Sequence, residues 1–174
     1  FRFFFVAIGF LLFSIYSNYS IIIKRKNLIE SILSGVLFHG LYLGGVFYSI
    51  SIGMPTSLAA LIVTLQPILT NILSGPLLNE KVTLQQWAGV LLGFVGASLV
   101  LGIDVGSGIP ILGLIATLIA LLSITFSTIW QKKLSNNLPL SVSNFYQALG
   151  GCLFHVLIII FFIKPYIYFT KTFI

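Results

Sequence analysis

An all-α, polytopic bundle of about six transmembrane helices is what this chain encodes, on three grounds. Hydrophobic residues make up 58% of it and charged residues only 7%, against about 25% charged in an average soluble domain. Apolar runs of about 20 residues recur, each long enough at about 1.5 Å per residue to cross a hydrocarbon core of about 30 Å. The charges fall between those runs and not inside them, where each would cost about 2.5–3.5 kcal/mol on insertion scales. A soluble fold is excluded on this composition. The formal net charge of +6, which in a soluble protein would point to nucleic acid, reads here as membrane orientation.

In chain order the spans run Phe3 to Ile23, Ser31 to Ile52, Pro55 to Leu78, Val82 to Leu101, Ile109 to Gln131, and Leu140 to Ile163. The first follows Arg2 directly and ends before Lys24-Arg25-Lys26. Only Gly53-Met54 separates the second from the third, with Gly53 placed to cap one helix and Pro55 to start the next, a tight helical hairpin. The third contains Pro67 and Pro76 and the fourth Gly89, Gly93 and Gly96, residues that membrane helices tolerate better than soluble ones. Asn79-Glu80-Lys81 turns between them, and Asp104 to Gly108 forms a short loop before the fifth. The tail from Lys164 holds Pro165 and several aromatic residues and reads as an interfacial belt or the start of a further element. The opening on Phe1 without methionine, and with no cleavage site after the first run, reads as a truncated chain and not a signal peptide.

The third and fourth spans carry a resemblance. Ala59-Ala60-Leu61-Ile62 leads into Leu65-Gln66-Pro67-Ile68, then Leu78-Asn79-Glu80-Lys81, then Gln86-Trp87-Ala88-Gly89 and Gly93-Phe94-Val95-Gly96. An alanine-rich entry, a mid-helix proline, a Leu-x-Glu turn and a glycine-rich following helix, in that order, resemble the EamA-type branch of the drug/metabolite transporter superfamily. The resemblance implies a ten-helix transporter of two inverted five-helix repeats, of which these spans are similar to helices two through seven. Arg2-Phe3 stands where such proteins often open the second helix. Residues 1–103 would then be most of the first repeat and 104–174 the start of the second. The first helix and the last three have no counterpart here, and the membrane glutamate of the superfamily's small multidrug pumps is absent.

Orientation follows from the cations. Lys24, Arg25, Lys26, Lys81, Lys132 and Lys133 collect on one side, and Arg2, Lys164 and Lys171 on the other. The richer side is expected in the cytoplasm, which places loops 24–30, 79–81 and 132–139 inside an inner-membrane protein.

Polar residues within the spans supply the candidate site. Thr56, Ala60, Thr64, Pro67, Asn71 and Ser74 step by three or four along one face of the third span. Pro67 has no amide hydrogen and presses on the Val63 carbonyl, so a backbone acceptor is expected beside Thr64. That stripe reads equally as a solute-facing surface and as close packing at a kink. A second stripe holds Ser31, Gly35, His39, Tyr42 and Ser49, and the last span places Asn144, Gln147, Gly151 and His155 on one face. The expected solute-lining residues are Tyr42, Thr64, Asn71, Trp130 and Gln147, with Pro67 shaping the site. Trp130, beside Lys132-Lys133, also fits an interfacial anchor. His39 and His155 are candidates for proton sensing, or for ordinary hydrogen bonding between helices.

Gly89, Gly93 and Ala97, like Gly40 and Gly44, have the small-xxx-small spacing of close helix packing, with a helix of this chain or of a second copy in a homo-oligomer. Cys152 is the single cysteine, so neither a disulfide within the chain nor a cysteine metal cluster can form. The sequence has no phosphate-binding loop, no His-Glu-x-x-His and no Ser/His/Asp set, and it calls for no cofactor, metal, nucleic acid or enzymatic role. What the resemblance implies is a secondary transporter of small metabolites, amino acids or related solutes, exporting by alternating access. The alternatives are a fragment that does not transport and a membrane assembly protein.

Overall fold

The computed structural model describes residues 2–78, 81–101 and 108–162. Six helical elements are present among them, and the described residues contain no strand. They are α1 (Arg2–Tyr16), α2 (Arg25–Ser51), α3 (Thr56–Leu78), α4 (Leu84–Leu101), α5 (Ile111–Ser135) and α6 (Leu140–Phe162). By length and composition α2, α3, α5 and α6 are each sufficient to cross a membrane, while α1 and α4 are apolar but shorter. The turn at Asn79-Glu80, the loop from Asp104 to Ser107 and the tail from Lys164 lie outside the described residues.

Local chemistry sets the boundaries. The helix α1 stops at Tyr16, well short of the expected Ile23, because Asn18 adopts a left-handed conformation at φ 55°. Tyr19 N then donates to Ser14 O at 2.9 Å and Asn18 N to Ile15 O at 3.0 Å, which closes the helix in a Schellman motif. The apolar run Ile21 to Ile23 continues as non-helical chain, and Ile21 O accepts from the Tyr146 hydroxyl of α6 at 2.9 Å. The same motif ends α2 as expected: Gly53 sits at φ 97°, Met54 N donates to Ser49 O and Gly53 N to Ile50 O. At α4 a capping box fixes the start, with Thr83 N donating to Gln86 Oε1 at 2.9 Å and Gln86 N to Thr83 Oγ1 at 3.3 Å. The helix α5 runs past Gln131 to Ser135, which puts Lys132 and Lys133 in its last turn, where the helix dipole favours cations.

Two helices depart from regular geometry. A π-helical segment, Val36–Tyr42, interrupts α2 and contains both His39 and Tyr42. The helix α3 is broken into Thr56–Val63 and Gln66–Leu78, so the expected kink is a short gap at Thr64-Leu65. Pro67 explains it: the proline cannot donate to Val63 O, and in a continuous helix its ring would press on that carbonyl. Pro67 then stands in the first turn of the second piece, a position that needs no amide donor. Pro76 lies inside that second piece.

The helices are arranged in the spatial order α1, α6, α2, α5, α3, α4, with α1 packed on α6 and α4 packed on α3 at the edges. The central contacts are close. A Cβ on Gly35 of α2 would strike the Gln147 backbone of α6, and one on Gly150 would strike the Ile32 carbonyl of α2. Between α2 and α5, the hydroxyls of Ser34 and Ser127 lie 2.9 Å apart, and Ser127 also donates to Ser34 O at 2.9 Å. The buried interior is rich in such residues: Ser31, Ser34, Thr117, Thr125, Ser127 and Ser143 are all fully buried, whereas Phe13, Leu92 and Ile160 are 57%, 73% and 64% exposed. Large apolar side chains outward and hydroxyls inward is the distribution of a bundle solvated by lipid. Thr117, Thr125 and Thr128 return their hydroxyl hydrogens to carbonyls four residues earlier, so these hydroxyls are satisfied within α5.

Candidate functional site

A chamber of about 520 Å³ lies beside the break in α3. Val63, Thr64, Gln66 and Pro67 line it from α3, Gly89, Val90, Gly93, Phe94 and Ala97 from α4, Tyr42 from the π segment of α2, and Ile124 from α5. The wall is mostly apolar, with few polar groups. Thr64 Oγ1 donates to Leu61 O at 2.7 Å, so its oxygen lone pairs are what it can offer a guest. Gly89 and Gly93 pack against no other helix among the described residues: a Cβ on either would meet nothing within 4 Å, and both line the chamber. Gly44 is likewise open, whereas Gly40 does pack, against the Phe154 ring.

A second, smaller chamber of about 100 Å³ adjoins the first toward the ends of α3 and α5. It is lined by Thr70, Asn71 and Ser74 of α3, by Thr128 and Lys132 of α5, and by Lys81 and Gln86 around the start of α4. One hydrogen bond links residues that line the two spaces. Gln66, which lines the first, donates through Nε2 to Oγ1 of Thr128, which lines the second, at 3.1 Å.

A third cavity, of about 230 Å³, lies between α1, α2, α5 and α6 and is lined by His39, Gln131, Asn144 and Gln147 with Val6, Phe10 and Phe38. Gln131 Nε2 donates to Asn144 Oδ1 at 3.0 Å, and Gln147 Nε2 to Ser143 Oγ at 3.0 Å. His39 Nδ1 is buried and makes no hydrogen bond among the described residues. The Phe3 ring stands between the two histidines, 4.7 Å from His39 and 5.1 Å from His155, and carries the Arg2 guanidinium 5.3 Å from its centroid. His155 Nδ1 is paired with Gly151 O at 2.8 Å.

The expected site residues therefore separate. Tyr42, Thr64 and Pro67 come together in the large chamber and Asn71 in the small one; Gln147 and His39 share the third cavity. Trp130 joins none of these and lines a depression with Leu77, Phe126 and Lys133. Gln66, Phe94, Lys81 and Lys132 were not among the expected site residues. Gln66 is one residue off the α3 stripe, and the gap at Thr64-Leu65 rotates it into the chamber. The lysines read as topology signals because each lies at the end of an apolar run.

A bundle of this kind, apolar outside and hydroxyl- and amide-lined within, is a multi-pass membrane protein. The chain belongs to the EamA-like transporter family, whose sequence profile matches residues 1–102. It is 29% identical over 106 residues to an uncharacterized transporter, YvbV, of Bacillus subtilis (strain 168), a match that takes in 61% of this chain and 33% of that protein. The chain thus spans about a third of the length of the curated relative it matches. No solved structure matches it.

Proposed function

We propose that this chain supplies part of the solute pathway of a secondary transporter that exports small metabolites, amino acids or related solutes, by alternating access. The observation that carries this reading is the chamber of about 520 Å³ at the break in α3. A broken helix at membrane depth, beside a cavity with few polar groups, is how transporters offer backbone and hydroxyl partners to a solute without placing charge in the bilayer. Residues 1–103 form most of one five-helix repeat on this reading and 104–174 open the next, and the family match over residues 1–102 supports that division. His39 and His155, facing each other across Phe3 with Arg2 from α1 as the nearby fixed charge, are the groups through which protons would act.

The pathway is tested by Thr64→Leu and Asn71→Leu. Each should reduce solute movement in membrane vesicles by roughly tenfold, about 1.4 kcal/mol, while insertion, read from the amount of protein in the membrane, is unchanged. Undiminished movement in both would remove the α3 face from the pathway.

The proposed inner-membrane orientation is checked separately. Cysteines introduced at Lys26, Lys81 and Lys133 should be shielded from an impermeant thiol reagent added outside, while one at Ser107 should react. The opposite pattern would invert the topology.

A further inference from the structure

Three amides, Gln131, Asn144 and Gln147, line the cavity between α1, α2, α5 and α6, and each has one end spent and one end left over. Gln131 and Gln147 both donate through Nε2, the first to Asn144 Oδ1 and the second to Ser143 Oγ. Their carbonyl oxygens accept from no group among the described residues, and Asn144 keeps its amino end. Two acceptors and one donor therefore remain for a guest. Gln147 is only 3% exposed, and its backbone is held against Gly35 of α2, so its side chain starts from a fixed point.

Much of the remaining lining is aromatic. Phe10, Phe38 and His39 contribute rings, and those of Phe38 and His39 meet edge to face with centroids 4.9 Å apart. Water alone would satisfy the amides but would not cover these rings. No Asp, Glu, Lys or Arg lines the cavity, so an ion placed there at membrane depth would have no counter-charge. Its volume of about 230 Å³ exceeds the roughly 150 Å³ of an engineered cavity that takes up benzene. One ring carrying one polar group is the scale of guest that fits.

We propose that this cavity binds an uncharged aromatic carboxamide, its amide edge on Gln131, Asn144 and Gln147 and its ring against Phe10 and Phe38. A primary amide donates through two hydrogens and accepts at its oxygen, the complement of two glutamine carbonyls and one asparagine amino group. The site goes beyond the solute pathway and shares no lining residue with the large chamber.

The test is thermal unfolding of the full chain in neutral detergent, titrated with benzamide, with methyl benzoate and with benzoate. Benzamide should raise the unfolding midpoint; the ester, which has no hydrogen to donate, and the acid, which brings a charge, should not. Gln131→Met removes one acceptor and should raise the half-saturating benzamide concentration by roughly tenfold. Phe10→Leu leaves every hydrogen bond of the cavity in place and should raise it by roughly fivefold. Both residues are partly exposed, so both variants should fold. Gly93→Leu fills the large chamber and should leave benzamide protection as in the parent, whatever it does to vesicle flux. Equal protection by all three compounds, either cavity variant responding like the parent, or loss of protection in Gly93→Leu overturns the proposal. Amide-selective protection in a protein without flux removes the pathway and leaves this site standing.

Discussion

Gly150→Ala and Gly35→Ala should each prevent the bundle from closing, with a loss above about 3 kcal/mol, at the upper end of what overpacking costs. The reason is the identity of the atoms met. A methyl on Gly150 enters the Ile32 carbonyl, and one on Gly35 enters the Gln147 backbone, so α2 and α6 each place a glycine against the other's main chain. Side chains can swing aside; two helix backbones can only move apart. Separation would also loosen the neighbouring contact in which Gly151 lies under the His39 side chain. Gly89→Ala and Gly93→Ala are the controls, because an added methyl there meets nothing within 4 Å. Both should be neutral or more stable, by up to about 1 kcal/mol, from the better helix propensity of alanine. Thermal unfolding in detergent reads all four. A Gly150→Ala protein that melts with the parent would mean that α2 and α6 do not approach as described.

These glycines show where a sequence stops being readable. Gly53 and Pro55 announce a helix end and a helix start through their own backbone preferences, and both are found where those preferences put them. Gly40, Gly89 and Gly93 look alike in sequence, yet Gly40 is pressed on Phe154 while the other two face open space. What separates them is the partner helix, which local spacing does not name. The same limit applied to α1: the apolar run through Ile23 outweighed Asn18, whose left-handed turn ends the helix at Tyr16. In α3 the stripe of polar residues was legible by its spacing, but the break at Thr64-Leu65 divided it. Thr64 and Pro67 went to one chamber and Asn71 and Ser74 to the next. Lys81 and Lys132 were legible as charges; their convergence required the ends of α3, α4 and α5 to meet.

Filling the large chamber from α4 should stop solute movement without loosening the fold. Gly93 faces the chamber, and nothing stands within 4 Å of a Cβ placed on it. Gly93→Leu therefore directs a branched apolar side chain into the space a solute would occupy, toward Phe94 and Pro67, and creates no clash at its root. Expected is a fall in vesicle flux of roughly tenfold or more, about 1.4 kcal/mol or above in the transport barrier, with an unfolding midpoint at or above that of the parent. Gly96 supplies the comparison. It lies one turn further along the same helix, is equally open, and is not part of the chamber wall. Gly96→Leu adds the same side chain to the same helix, so any general effect of leucine on insertion or helix stability appears in both proteins. Only obstruction of the chamber distinguishes them. If Gly93→Leu and Gly96→Leu move solute at the same rate, the chamber is a packing defect beside an edge helix, and the pathway has to be sought around His39 and Gln147 instead.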